Sequence, residues 1–145
     1  MNSCDFQKKI LITGAAGLVG QNLIIQLKGN GFKNLICLDK HNENLKTLKS
    51  LHSDLTCFNF DLSVNPDSWD ELFKGVDVVI MLHAQIGAPT YNPFQRNNID
   101  ATKNVINAMK KTNVEKLVHV SSSVVNSAAQ DFYTVSKKEQ ERLVV

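Results

Sequence analysis

The sequence predicts an α/β protein built as a doubly wound parallel sheet with helices on both faces. Five short apolar runs alternate with helical patterns along the chain, which is the order that βαβ units produce. The fourth run, "VDVVIMLHA", is apolar on both faces of a strand, as expected for a parallel sheet that is covered on both sides. A glycine-rich turn joins the first run to the first helical pattern.

The predicted strands are "KILITG", "NLICLD", "LTCFNFD", "VDVVIMLHA" and "EKLVHVSSS". Right-handed crossovers between parallel strands favour the order 3-2-1-4-5. In such a sheet a ligand crevice forms at the carboxyl ends of strands one and four, where the strand order reverses.

Five helices are predicted between and after these strands. The first, "GLVGQNLIIQLKGN", ends at Asn30-Gly31 and places four residues roughly along one side: Leu18, Asn22, Ile25 and Leu27. "NENLKTLKSL" is a polar surface helix, and "NPDSWDELF" opens with proline and acids, as helix N-termini do. "NPFQRNNIDATKNVINAMKKT" is one long helix, and "DFYTVSKKEQERLVV" is the last.

Composition limits the function classes. The 145 residues fit one domain, with 43% apolar and 21% charged residues, as in a globular protein with a packed core. The net charge is +2 without a cluster of basic residues, so no nucleic-acid partner is expected. The apolar runs are too short to span a bilayer, and "MNSCDFQKK" lacks the apolar segment of a secretory signal, so we expect no membrane partner and a cytoplasmic location.

The three cysteines, Cys4, Cys37 and Cys57, show no metal-ligand spacing, and no metal site is predicted. Cys37 and Cys57 lie inside apolar runs. Buried, reduced thiols are therefore expected rather than a disulfide.

The stretch "LITGAAGLVGQNL", residues 11–23, resembles a phosphate-binding loop. A phosphate at a strand-to-helix turn needs backbone N–H groups without bulky side chains, and the positive end of the helix dipole strengthens its binding. Gly14 would permit the tight turn, Gly17 the close approach of a pyrophosphate, and Gly20 the packing of the helix on the sheet. The alternative is an ordinary flexible turn, since three spaced glycines alone are weak evidence.

Two acidic positions favour a nucleotide. Asp39, at the end of the second strand, lies 19 residues after Gly20 and can accept hydrogen bonds from both ribose hydroxyls of an adenosine. Its charge would repel a 2′-phosphate, so NAD is expected over NADP, although the positive charge of Lys40 opposes this. Asp61 and Leu62, at the end of the third strand, would flank the adenine. The alternatives are an acid that caps a turn and an aspartate at a helix start.

Acid/base chemistry is indicated near the fifth strand. This strand ends in three serines, residues 121–123, and Tyr133 lies four residues before Lys137, on the same face of a helix. The lysine ammonium would lower the tyrosine pKa from about 10, so that Tyr133 could exchange a proton with a substrate hydroxyl or carbonyl. Lys137 could also hold the nicotinamide ribose, and a serine hydroxyl could orient the substrate oxygen.

Together, "TGAAGLVG", Asp39, Asp61-Leu62, "LHAQ", "NNIDATKNV", "VSSS" and "YTVSK" resemble the extended short-chain dehydrogenase/reductase family. The resemblance runs from about Lys9 to the C-terminus and keeps the order of the family's motifs. It implies an NAD-binding Rossmann domain of the kind found in NAD-dependent epimerases and dehydratases of nucleotide sugars.

The resemblance also implies roles for individual residues. Those along the NAD pyrophosphate would be Gly14, Ala16, Gly17, Leu18 and Val19. Asp39 would hold the adenine ribose, Asp61 and Leu62 the adenine, and the middle of the cofactor would pass Leu82, His83 and Ala84. Ser122 matches the catalytic hydroxyl, with Ser123 in reserve, and Tyr133 and Lys137 match the catalytic pair.

Several positions depart from the family pattern. Gln85 stands where the family has a small residue, and Ala101 replaces the glycine of its "N-x-x-G-T" motif, in which Asn98 matches the asparagine. Only 11 positions separate Ser122 from Tyr133, so this segment would contribute little to a substrate pocket. Family members continue with a smaller domain that binds the nucleotide sugar, so residues 1–145 are expected to be the cofactor-binding domain without that substrate domain.

Three functions remain open from the sequence. The first is an NAD-dependent epimerase or dehydratase of a nucleotide-linked sugar, present as its cofactor-binding half. The others are a non-catalytic NAD-binding module and a reductase of a small carbonyl compound. A homodimer through the helices of residues 92–112 and from Phe132 onward is also expected, with apolar surface supplied by Ile99, Val105, Ile106 and Met109, of which some must face the sheet.

Overall fold

The computed structural model of the protein describes residues 5–64, 67 and 69–145. The strands are β1 (Ile10–Thr13), β2 (Leu35–Asp39), β3 (Thr56–Asn59), β4 (Val78–Met81) and β5 (Leu117–His119). They pair in parallel in the order β3-β2-β1-β4-β5, which confirms the predicted topology. The carboxyl ends of β1 and β4 are therefore adjacent, with Thr13 opposite Met81.

The helices are α1 (Leu18–Gly29), α2 (Asn42–Leu51), α3 (Asn92–Phe94), α4 (Ala101–Thr112) and α5 (Phe132–Val144). The long helix predicted before β5 is present as α3, a π-helical segment (Gln95–Asp100) and α4 in direct succession. The helix predicted over residues 65–73 is a short 3₁₀ helix, Asp70–Phe73, in the described residues. Asn65, Pro66 and Ser68, like Cys4, lie outside the part of the chain that the structure describes.

Each face of the sheet carries its own apolar core, because neighbouring strand residues point to opposite sides. On one face Leu11, Val79 and Met81 pack with Val105 of α4 and with Trp69. On the other, Ile12, Cys37 and Ile80 pack with Ile24 of α1 and Leu48 of α2. Helices therefore cover both faces of the sheet, as predicted.

The side of α1 that carries Leu18 and Ile25 is not the buried one. Gly20 and Ile24 are buried, whereas Leu18 is 81% exposed and Ile25 53% exposed. A Cβ atom on Gly20 would lie 2.5 Å from the Ala15 carbonyl oxygen, so this side of the helix sits directly against the loop. The closest packing between α1 and the loop occurs at Gly20, which has no side chain and therefore does not appear in the apolar pattern. The helix ends where predicted, with Gly31 at φ +95° after the C-cap Asn30.

Cys37 and Cys57 are free thiols on neighbouring strands and lie directly opposite each other. Cys37 is fully buried, as expected, while Cys57 is only partly so. Burial raises the pKa of both thiols, which keeps them protonated. Within the described chain, no helix is both long and apolar enough to cross a membrane.

Candidate functional site

The glycine loop lies between the end of β1 and the start of α1. Gly14 has φ +66°, and a Cβ atom there would lie 2.8 Å from the backbone nitrogen of His83. A Cβ atom on Gly17 would come near only one atom, the Gly14 carbonyl oxygen at 3.3 Å. The fold itself therefore requires glycine at positions 14 and 20, whereas at position 17 the space left free is open to a ligand.

The N-terminus of α1 is suited to an anion. Its N-cap is Gly17, which supplies no capping side chain, and the first turn contains no acidic residue. The first backbone N–H groups of a helix lack partners inside the helix and carry the positive end of its dipole. Leu18 and Val19, on this first turn, are 81% and 57% exposed. An uncapped and uncharged helix start of this kind fits a pyrophosphate.

One pocket lies beside this loop at the carboxyl ends of the strands. It brings together most of the residues that the sequence predicted to contact a cofactor: Gly14, Gly17, Asp39, Asp61, Leu62, Leu82, His83 and Ala84. Ala16, Leu18, Val19 and Lys137, which were also predicted to contact the cofactor, do not line it; Ala16 is buried beneath the loop. Lys40, His41, Phe60, Asn97 and Ala101 complete the lining.

Asp39 is built into the floor of this pocket. Its side chain is 7% exposed, and one carboxylate oxygen accepts a hydrogen bond of 3.0 Å from the backbone N–H of Ala16. The other oxygen accepts from the backbone N–H of His41 at 2.9 Å and lies 3.1 Å from Nδ1 of its ring. Asp39 thus caps the turn into α2, which was the alternative interpretation of this acid, and also presents its charge to the pocket.

A second acid, Asp61, and the cation Lys40 also line the pocket, and Arg96 lies 3.5 Å from the Asp61 carboxylate. Asp61 accepts hydrogen bonds from the backbone N–H and the hydroxyl of Ser63, at 2.9 and 2.7 Å. Partial burial raises the pKa of the Asp61 carboxyl. The two hydrogen bonds from Ser63 and the charges of Lys40 and Arg96 lower it by more, so the net shift of the pKa is downward. Lys40 donates to Oδ1 of Asn97 in the π-helical segment at 2.8 Å, from the opposite wall. Sequence analysis did not anticipate this contact across the pocket.

Lys137 lies on the buried side of α5 and is only 2% exposed. Its Nζ donates to the carbonyl oxygen of Val120 at 3.2 Å and to Oε1 of Gln140. Burial lowers the pKa of the ammonium to about 8, while the charge of Glu141 opposes that shift. Lys137 is thus anchored at Val120, which directly follows β5 and lies two residues before Ser122.

Ser122 and Tyr133 lie close to this anchor in the chain. Ser122 is the N-cap of a 3₁₀ helix, Ser123–Asn126, and its hydroxyl lies 3.5 Å from the backbone nitrogen of Val124. Tyr133 is on the first turn of α5, which is capped by the Asp131 carboxylate on the N–H of Thr134 at 2.9 Å. Among the described residues, the Tyr133 hydroxyl has no hydrogen-bond partner. The predicted catalytic hydroxyls do not contact Lys137 directly.

Asn98 joins the segment after β4 to α5. It is fully buried in the π-helical segment, and its Oδ1 accepts from the backbone N–H of Gln85 at 2.6 Å. Its amide nitrogen donates to the Gln85 carbonyl oxygen at 3.1 Å and to the Ser136 hydroxyl at 2.9 Å. Gln85, where the family has a small residue, also accepts from the Asn97 side chain at 2.8 Å. The extra polar side chain thus makes an additional contact with the helix.

His83 lies between the pocket and the Lys137 anchor. Its Nδ1 is 2.8 Å from the Thr13 hydroxyl, and its Nε2 is 3.3 Å from the Thr102 hydroxyl. Burial, together with the charges of Lys137, His119 and Lys40, lowers the pKa of His83 to about 3. The ring is therefore neutral, with one donor and one acceptor between two hydroxyls, which agrees with its expected place at a strand end.

The buried polar residues Gln140 and Thr102 were missed by sequence analysis. Gln140 is fully buried and donates from Nε2 to the Thr102 hydroxyl at 2.9 Å. A signal was present, because Tyr133, Lys137 and Gln140 follow the i, i+4, i+7 spacing of one helix face. In the described part of the chain, no group of three or more His, Cys, Asp or Glu side chains is arranged to hold a metal ion.

Comparison with protein families gives a match over residues 10–143 to the NAD dependent epimerase/dehydratase family. Among curated proteins, a UDP-glucose 4-epimerase of Dictyostelium discoideum is 28% identical over 127 residues, which is 81% of this chain and 37% of that protein. A UDP-glucose 4-epimerase of Pisum sativum is 28% identical over 132 residues, again with 81% and 37% coverage.

Among solved structures, a UDP-glucuronic acid 4-epimerase from Bacillus cereus in complex with NAD superposes with a TM-score of 0.79 at 28% identity. The match covers 94% of this chain and 51% of that one. The chain thus spans well under half the length of the two curated relatives and about half of this solved structure.

Proposed function

The chain belongs to the NAD dependent epimerase/dehydratase family, and on this premise we propose that it is the cofactor-binding part of an NAD-dependent enzyme that acts on a nucleotide-linked sugar. The observation that carries the proposal is the convergence of the glycine loop, Asp39 and Asp61 on one pocket. Residues 1–145 are proposed to form one dinucleotide-binding domain, with the sugar held largely by groups outside it.

Bound NAD would supply the hydride acceptor of the reaction. The uncapped N-terminus of α1 would bind its pyrophosphate, Asp39 its adenine ribose, and Asp61 and Leu62 its adenine. We propose NAD over NADP, because the buried Asp39 carboxylate would repel a 2′-phosphate. Lys40, which follows Asp39 and lines the pocket, is held by Asn97 on the opposite wall, which supports this preference.

Proton transfer is assigned to α5 and the end of β5. The ionised Tyr133 oxygen would take the proton of a sugar hydroxyl, and the resulting Tyr133 hydroxyl would return it to a sugar carbonyl. Lys137 would stabilise the ionised tyrosine by its charge and hold the nicotinamide ribose, and Ser122 would orient the reacting oxygen. The unpartnered Tyr133 hydroxyl and the buried, anchored Lys137 ammonium support these roles.

Assembly and location are proposals of the same kind. A homodimer through α4 and α5 stays a prediction, and more of its expected apolar surface is buried within the chain than the part that was expected to face the sheet. Ile99, Val105 and Met109 are buried within the chain itself, with Val105 and Met109 in the core on one face of the sheet. Of the four predicted residues, only Ile106 is partly exposed. The cytoplasmic location also stays a prediction.

Calorimetric titration of the 145-residue chain with NAD and with NADP tests the cofactor proposal. We expect NAD to bind more tightly, with no turnover of nucleotide sugars by this chain alone, because the groups that orient the sugar would be missing. Equal or tighter binding of NADP would contradict the role of Asp39. An ordinary rate of sugar oxidation or epimerisation by the 145 residues would contradict the division into two parts.

A further inference from the structure

A series of hydrogen-bonded polar side chains connects Lys137 to the end of β1. It runs from Lys137 to Gln140, from Gln140 to Thr102 of α4, and through His83 to Thr13, the residue before the glycine loop. Thr13, Thr102 and Gln140 are fully buried. Polar groups so placed are costly unless their hydrogen bonds are formed, so the arrangement leaves each side chain little freedom.

The orientation of the Gln140 amide is fixed from both ends. An ammonium only donates hydrogen bonds, so the amide oxygen must face Lys137. The amide nitrogen then donates to the Thr102 hydroxyl at 2.9 Å. A rotation of the amide by 180° would place its NH₂ group against the Lys137 ammonium, which is unfavourable.

This orientation in turn limits Lys137. The ammonium has three N–H donors, and two of them are taken by the Val120 carbonyl oxygen and the Gln140 amide oxygen. With two acceptors fixed, the ammonium cannot rotate freely about its Cε–Nζ bond. The third N–H is therefore held in one direction, and no described residue accepts a hydrogen bond from it.

We propose that Gln140 is a positioning residue for Lys137: anchored on Thr102, it fixes the Lys137 ammonium so that its remaining N–H is aimed at the bound cofactor ribose. This inference rests on the proposed function, in which Lys137 binds that ribose. Gln140 itself is not assigned a contact with cofactor or substrate.

The titratable groups around Lys137 come from several elements. Glu141 and Tyr133 are on α5, His119 is on β5, and His83 follows β4. From α4, the residue that joins this hydrogen-bonded series is Thr102, which carries no charge. A change of the Gln140 side chain alters the hydrogen bonding of Lys137 while leaving all of these groups in place.

The first test measures Lys137 alone. Lysine labelled with ¹³C at Cε reports the ammonium titration by NMR in the 145-residue chain without any cofactor, with the signal assigned from Lys137→Arg. Gln140→Glu keeps the shape and adds a negative charge, so the Lys137 pKa should rise by about one unit or more. Gln140→Met removes the acceptor and should lower it. Titration curves identical to that of the native chain in both variants would overturn the proposal.

The second test measures NAD binding by calorimetry. Gln140→Met should weaken binding about tenfold, and Gln140→Glu, which still offers an oxygen acceptor, should stay within about threefold of the native chain. Gln130→Met, the same change at an exposed position, is the control and should bind NAD normally. Native affinity in Gln140→Met, or equal losses in both variants, would overturn the proposal. If Gln140→Met does not fold, the Gln140→Glu titration decides. If the native chain does not bind NAD, the proposed function fails, while the lysine titration still decides this inference.

Discussion

The backbone N–H of Ala16 donates a 3.0 Å hydrogen bond to the carboxylate of Asp39, which ties the glycine loop to the end of β2. The same carboxylate accepts from the backbone N–H of His41. The acid that the sequence assigned to a ribose therefore has a structural role as well. A change at Asp39 should affect stability and cofactor binding together.

Asp39→Asn tests this double role. An amide has one acceptor oxygen, so its NH₂ group would face a backbone N–H of Ala16 or His41. We expect the free energy of unfolding to fall by about 1–3 kcal/mol and NAD affinity to fall at least about tenfold. Urea unfolding and calorimetry measure the two effects. Asp54→Asn, at an exposed ion pair with Lys28, should change stability by less than about 1 kcal/mol.

Gly20→Ala should destabilise the fold without any ligand present. The new methyl group would lie 2.5 to 2.7 Å from backbone atoms of Gly14 and Ala15, so α1 would have to move away from the loop. A loss of about 2–4 kcal/mol is expected in urea unfolding. Gly29→Ala, in the same helix with nothing within 4 Å, should instead be neutral or stabilising by up to about 1 kcal/mol. Equal effects of the two changes would contradict the close packing at position 20.

Gly17→Ala should separate binding from folding. Its φ of −75° suits any residue, and the added methyl group would meet only the Gly14 carbonyl oxygen, so the melting temperature should change by a few degrees at most. Because the methyl group would occupy the space proposed for the pyrophosphate, NAD affinity should fall at least about tenfold, and Gly17→Val should abolish binding. Normal NAD binding by Gly17→Val would refute the position of the pyrophosphate.

Stability should fall as the pH is lowered from 6.5 to 5, partly because of two histidines. Burial, with the charge of Lys137, lowers the pKa of His119 to about 4, and His83 is lowered to about 3. The unfolded chain then binds more protons than the native one between these values and the ordinary pKa, so the contribution is complete above pH 6.5 and is lost below it.

The slope should be at most about 1 kcal/mol per pH unit for each histidine, reduced because both rings are partly accessible. His119→Leu removes a titrating ring and should flatten the dependence of stability on pH. The change breaks no hydrogen bond, since neither ring nitrogen of His119 has a partner among the described residues. Urea unfolding at pH 5, 6 and 7 measures the change, and an unchanged slope in this variant would rule out His119 as a source.

Tyr133→Phe tests the catalytic assignment in a protein that includes the substrate-binding part. The variant keeps the ring but removes the proton donor, so turnover should fall by roughly two to four orders of magnitude while NAD affinity stays nearly unchanged. Lys137→Ala should reduce both, because the lysine is proposed to serve both steps. Native turnover in Tyr133→Phe would leave a non-catalytic NAD-binding module as the better interpretation.

The topology could be predicted because the strands carry an unmistakable pattern. All residues of β1 and β2 are buried, so their runs are apolar without alternation, and only a parallel sheet between helices buries both faces. The face of α1 could not be predicted in the same way. There the closest contact depends on the absence of a side chain at Gly20, and an apolar pattern counts only the side chains that are present.

The pocket residues were predictable where a motif fixes them to a strand end, as for Gly14, Asp39 and Asp61. The contacts between distant segments were not. Lys40 meets Asn97 across 57 positions of the chain, and Gln140 meets Thr102 across 38. A polar side chain on a helix is ordinarily expected to face water, so only the tertiary structure reveals that Gln140 is enclosed.

The π-helical segment between α3 and α4 makes the number of residues in this helix as important as their identity. A π-type turn contains one residue more than the α-helical turn it replaces. Deleting one residue there would permit a regular helix but turn everything before it by about 100°. Phe94 would leave Phe132, whose ring centroid is 6.0 Å away, and Asn97 would leave Lys40. Substitutions along this stretch are therefore a milder change for the chain than insertions or deletions, although the helix looks uniform in sequence.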